Sequence, residues 1–129
     1  MNFQNRIDNG LHNDEQVLFL LAEGAVRPLG IPSGKMITDS DNFSFVYLLE
    51  LEEGYQQLHF TQAVWPLMVD TLTMDADPML SWKDEIILLP GFKDELTMLI
   101  YNIEGNDNYG EAFSSAVEQA FSSILQHTE

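Results

Sequence analysis

The chain of 129 residues contains no cysteine, which excludes disulfides, thiol catalysis and cysteine-ligated zinc. Basic residues are almost as scarce: five Lys and Arg stand against 21 Asp and Glu, a formal charge of −16. Nucleic-acid binding rests on cations that neutralise phosphates, and five bases cannot outweigh 21 acids. An anionic membrane surface would repel the chain for the same reason. Long apolar runs are also missing. The longest, Val17–Ala22, has six residues, against about 20 for a membrane-spanning helix. The opening residues MNFQNRIDNG lack the basic segment and apolar stretch of a secretory leader. These absences predict a soluble cytoplasmic protein without direct nucleic-acid or membrane contact.

What is present is a core. Apolar residues make up 45% of the chain, with eight Phe, four Tyr and two Trp, so the acidity is not that of a disordered tail. The charge is spread along the chain, with nine acids and three bases in residues 1–64 and twelve and two in residues 65–129. No repeat or linker divides it, and the length suits one domain.

The first half reads as strands. Residues 6–11 form a short candidate strand, and His12-Asn13-Asp14-Glu15 a polar turn. Val17–Ala22 is apolar on both faces, the mark of a central or covered strand. Pro28, Gly30, Pro32 and Gly34 punctuate a loop that should not hold a regular ladder. Residues 35–38 form a short strand entering the Asp39–Asn42 turn. Phe43–Leu51 is the clearest strand, and Glu52-Glu53-Gly54 folds it onto Tyr55–Phe60.

A helix is expected from about Ala63, with Pro66 in its first turn where a missing N–H costs nothing. Trp65, Met68, Val69 and Leu72 form its apolar face. Leu80–Leu89 reads as one strand. Two helices follow: one with Phe92, Leu96, Leu99, Ile100 and Ile103 on a stripe, stopped by Gly105; the other with Phe113, Ala116, Val117, Ala120, Phe121 and Ile124. Asn108 with Glu111 suggests a capping box. Strands first and helices last give a single α+β domain, a mainly antiparallel sheet covered on one face by about three helices, two of them C-terminal. Its parts are a strand-rich segment 1–34, sheet plus one helix over 35–89, and the helices of 92–125.

The string from Asp39 to Tyr47, Trp65 with Met68, the string Asn102–Gly110 and the Val117-Glu118 step resemble the signature of the YjbL-like family. These are small acidic uncharacterised proteins of bacilli and staphylococci. Order and spacing agree from about Asp39 to Phe121; Pro66 after Trp65 departs from the family form, and residues 1–34 share only a strand-like pattern. The resemblance implies a bacterial cytoplasmic origin and brings no activity.

Three places stand out as binding candidates: Asp39, Asp41 and Asn42; Glu104, Asn106, Asn108 and Tyr109; and Trp82. Neither loop completes a calcium-binding pattern. Counted from Asp39, Phe43 takes the fifth ligand position and Ser44 the Gly position; counted from Glu104, Tyr109 and Ser115 take the Gly and Glu positions. Both loops read first as Asx turns, and no metal or cofactor is expected. Trp82 is either an anchor at a sheet margin or a ring tucked beneath a helix. His12, His59 and His127 assemble no site, with His59 expected to be partly exposed on the face of Tyr55 and Gln57.

No nucleophile elbow, phosphate loop or zinc-protease motif occurs, so no catalytic residue is assigned. The leading expectation is therefore an acidic adaptor or inhibitor docking on a protein with a basic surface. The alternative is a ligand-binding protein or enzyme with a polar pocket where the Asp39–Asn42 and Glu104–Tyr109 loops meet. A homodimer sealed by methionines such as Met68, Met74, Met79 and Met98 also fits the composition.

Overall fold

A computed structural model describes residues 4–22, 24, 25 and 27–125; His127 lies outside them. The α+β class holds, with a different sheet arrangement. Two four-stranded sheets replace the single one expected, and each contains a parallel pair. The first has the order β1-β6-β5-β4, from Gln4–Ile7, Tyr55–Phe60, Ser44–Glu50 and Ile31–Asp39. The second has the order β2-β3-β7-β8, from Asn9–His12, Val17–Leu20, Met79–Trp82 and Glu85–Leu88.

Three readings of strands need correction. Residues 6–11 are not one strand: the chain leaves the first sheet at Ile7 and enters the second at Asn9. Thr61 holds that break, its N–H on the Ile7 carbonyl at 3.3 Å and its hydroxyl on Asp8 Oδ1 at 2.6 Å. Pro32 does pair in a ladder, opposite Leu49, and Gly34 lies in the irregularity between Pro32 and Lys35, because β4 is an edge strand whose register slips there. An edge and a bulge are where a sheet tolerates a residue without an N–H. Residues 80–89 form a hairpin instead of one strand, turned at Lys83-Asp84 with Lys83 in the left-handed region at φ 52°.

The helices follow the sequence closely. α1 spans Trp65–Met74 after a 3₁₀ turn over Gln62–Val64, with Pro66 in its first turn. α2 spans Phe92–Ile103 and buries all five stripe residues. α3, Glu111–Ala120, is followed after Phe121 by the single turn α4, Ser122–Leu125. The Asn108–Glu111 capping box does not form. Gly110 is the N-cap, no side chain caps the helix, and Asn108 lies in a 3₁₀ turn over Asp107–Tyr109.

One core joins these layers. Phe19 of the second sheet meets Phe60 of the first edge-on, centroids 4.8 Å apart, and both touch Phe92 of α2. A second ring cluster sets Phe45 against Trp65, Phe113 and Phe121, linking the first sheet to α1 and α3. Burying each such ring contributes about 1.5–3 kcal/mol, so this aromatic seam is what fixes the two sheets to the helices.

Candidate functional site

The Asp39–Asn42 segment sits where β4 turns into β5. Ser40–Asn42 make one 3₁₀ turn, and Phe43 leaves it in the left-handed region at φ 51°. The turn closes on itself: Asn42 Nδ2 donates to Asp39 Oδ2 at 2.8 Å, and the Ser44 hydroxyl donates to the Asn42 carbonyl at 3.1 Å. Register carries His59 of β6 to this place. It stands opposite Val46 on one side and Arg6 on the other, on the sheet face turned away from the core cluster.

His59 was expected to be partly exposed. It is 5% exposed, because β1 pairs alongside β6 and the Asp39 turn lies next to the ring. Its Nε2 contacts Gln57 Oε1 at 2.9 Å, and its Nδ1 is 3.8 Å from Asp39 Oδ2. Burial pulls its pKa below the usual value, Asp39 opposes that shift and Arg6 adds to it. Arg6, Asn42, Ser44 and His59 line a cavity of about 220 Å³. Sequence patterning placed His59 on the right face and missed its burial, since the covering strand β1 is distant in the chain.

The cavity has polar groups for a small ligand and no nucleophile–base pair. The Ser44 hydroxyl proton is committed to a backbone carbonyl. His59 Nε2 is engaged by Gln57 Oε1, and its Nδ1 stands 3.8 Å from Asp39 Oδ2, too far for the carboxylate hydrogen bond that orients the base of a serine triad. Asp41 is exposed and lines no part of the cavity. Among the described residues, no three His, Asp or Glu side chains converge in the way a metal ion requires.

The Glu104–Tyr109 loop is spent on its own structure. Asn106 Oδ1 accepts the Asn108 N–H at 3.0 Å, the Asn106 carbonyl accepts the Ser114 hydroxyl at 2.8 Å, and Glu118 Oε2 accepts the Gly105 N–H at 2.8 Å. Tyr109 packs against the core, and Glu104 is exposed. Next to the Asp39–Asn42 turn, the Phe43 ring lies 5.8 Å from Phe113 in α3. None of Glu104, Asn106, Asn108 and Tyr109 lines the cavity beside Asn42. Trp82 is half-buried against the core with Lys83 Nζ 4.7 Å above its ring, so its face is already occupied.

A surface that the sequence did not single out lies at the other end of the first sheet. The buried side chain of Gln56 accepts the N–H groups of Leu29 and Gly30 at 2.9 and 3.3 Å and donates to the Arg27 carbonyl at 3.0 Å. This clamp holds Leu29 and Ile31 outward, 69 and 71% exposed. With Leu51 they floor an open groove of about 520 Å³ rimmed by Glu50, Glu52 and Glu53. The signal in the sequence was the Glu-Leu-Glu-Glu hairpin; its apolar neighbours come from the Pro/Gly segment.

The family model of UPF0738, a family of unknown function, matches residues 5–121. The chain belongs to that family. A relative from Lysinibacillus sphaericus is 44% identical over 119 residues, covering 92% of this chain and 94% of its own. YjbL of Bacillus subtilis is 34% identical over 120 residues, 92% of this chain and 98% of its own. A Staphylococcus haemolyticus relative is 39% identical over 88 residues, covering 68% and 72%. The match reaches Asn5, so the family extends through the segment that resembled it only in strand pattern. No solved structure is significantly similar to the chain.

Proposed function

We infer that the chain is a small cytoplasmic interaction module that docks its acidic surface on a basic protein partner. The groove of Leu29, Ile31 and Leu51 rimmed by three glutamates carries this reading. Its chemistry matches a segment that places an apolar side chain between Lys or Arg residues. The pairing of the bases supports it: Arg6 faces Asp8, Arg27 pairs with Glu85 at 2.8 Å, and Lys93 is shared by Asp75 and Asp94. Most of the scarce positive charge is thus answered within the molecule, and the glutamate rim is left to a partner. Exposed charge pairs add little affinity individually and mainly steer association.

The test is capture from lysate with washes at low and high salt, repeated with Glu52→Lys/Glu53→Lys. A partner retained at low salt, lost at high salt and lost to the variant supports the reading. A partner held equally by the variant would overturn the placement at this groove. Absence of any partner at both salts would turn attention to the cavity lined by Arg6, Asn42, Ser44 and His59. That second reading, a small polar ligand, rests on the burial of His59 against it.

A further inference from the structure

The second sheet turns one face to the core and the other outward. Directly opposed residues share a face, so the register identifies the outer one. Leu11, Leu18, Met79 and Leu88 form one row across all four strands, and Asn9, Leu20, Ser81 and Ile86 form the next. The six apolar members belong neither to the core cluster nor to the partly buried side chains packed on it. Leu11, Ile86 and Leu88 are 57, 61 and 49% exposed.

No position in either row is charged, in a chain whose residues are 20% charged. That exclusion indicates the occupant. In a two-fold interface the same patch meets itself, so a carboxylate near the axis faces its own copy. A chain of charge −16 can self-associate only through a surface cleared of acids, whereas a surface for a basic partner keeps them. The glutamate-rimmed groove is of the second kind and this sheet face is of the first.

We propose that the outer face of the second sheet receives a second copy of the chain, sheet against sheet. Two twisted sheets stack about 10 Å apart with strands inclined by about 30°. Four strands at about 4.8 Å and two rows at about 7 Å give a footprint of roughly 270 Å², about a third of the 800 Å² per partner of a standard stable interface. The dimer is accordingly reversible and concentration-dependent. The exposed acids Asp14 and Glu15 in the β2–β3 turn and Asp84 in the β7–β8 turn stand at opposite ends of the face. They repel across the rim, so salt strengthens the dimer.

Sedimentation velocity on the full chain over a concentration series, at about 0.05 and 0.5 M salt, tests this. The expected result is mass rising from one chain towards two with concentration, and further at high salt. Leu88→Glu and, separately, Leu11→Glu weaken association by about tenfold or more, because a carboxylate would be buried against apolar surface. Tyr55→Glu, on the first sheet, leaves it unchanged. Far-UV circular dichroism checks that each variant is folded, and Leu11→Glu decides if Leu88→Glu is not. A chain monomeric at both salts, or a dimer indifferent to both substitutions, overturns the proposal. Because docking on a basic partner weakens with salt and this association strengthens, the two readings fail separately.

Discussion

The Tyr47 hydroxyl donates a 2.6 Å hydrogen bond to the Pro90 carbonyl. It also accepts the Gly34 N–H at 3.1 Å, so one phenol ties the middle of the first sheet to the edge strand β4 and to the entrance of α2. Burial pushes its pKa up to about 12. Tyr47→Phe leaves a carbonyl and an N–H without their partner at a cost of about 1–3 kcal/mol. Urea unfolding measures that loss. The sign with pH follows: the raised pKa favours the neutral phenol in the folded chain, so the wild type loses stability as pH rises from about 10. The variant lacks that component.

His59 gives a dependence at the acid side. Its folded pKa is lowered, chiefly by burial, so below about 6.5 the unfolded chain takes up its proton more readily than the folded one. The stability that His59 contributes is complete above that pH and falls as pH drops through it. The difference in urea midpoint between wild type and His59→Asn should therefore shift against the wild type between pH 7.5 and 5. A difference constant with pH would contradict the burial of the ring.

Gly30 is required by space alone. A Cβ there would lie 2.7 Å from Leu49 Cβ and 2.8 Å from the Leu49 carbonyl carbon. The backbone of β5 cannot yield as a side-chain tip can, so Gly30→Ala should destabilise by about 1–3 kcal/mol. It should also loosen the Gln56 clamp on residues 27–30. Gly24→Ala, with nothing within 4 Å of the added carbon, serves as the neutral comparison in the same thermal melt.

Features written in local periodicity were legible in the sequence. The stripe of α2, Pro66 at the start of α1 and the hairpin around Gly54 each follow from neighbouring residues, and each is present. Features that depend on distant pairing were not. Nothing local in Arg6–Leu11 reveals that Ile7 aligns with Phe60 while Asn9 aligns with Leu20. Lys83-Asp84 lacks the Gly or Asn that advertises a two-residue turn, so β7 and β8 read as one strand. Val17–Leu20, read as a central or covered strand, is central in the second sheet; one face is covered by the core, and Leu18 and Leu20 lie on the other. At the polar turn, Asp39 and Asn42 were visible as turn formers, while the burial of His59 beside them depends on the distant parallel strand β1.

The break at Asp8 has a consequence for how the chain acquires its shape. Residues 4–7 have their partner in β6, with Thr61 fastening to Ile7 across 54 positions, and residues 9–12 pair at once with β3. A chain emerging from the ribosome can form the β2–β3 hairpin early. It must hold β1 unpaired until more than fifty further residues have followed. Loop closure over such a span is slow compared with a local turn. The first sheet is thus completed late, by a strand made early. Substitutions at Ile7, Asp8 or Thr61 should act on the rate of that closing step, and an N-terminal fusion would slow assembly before it touched the finished fold.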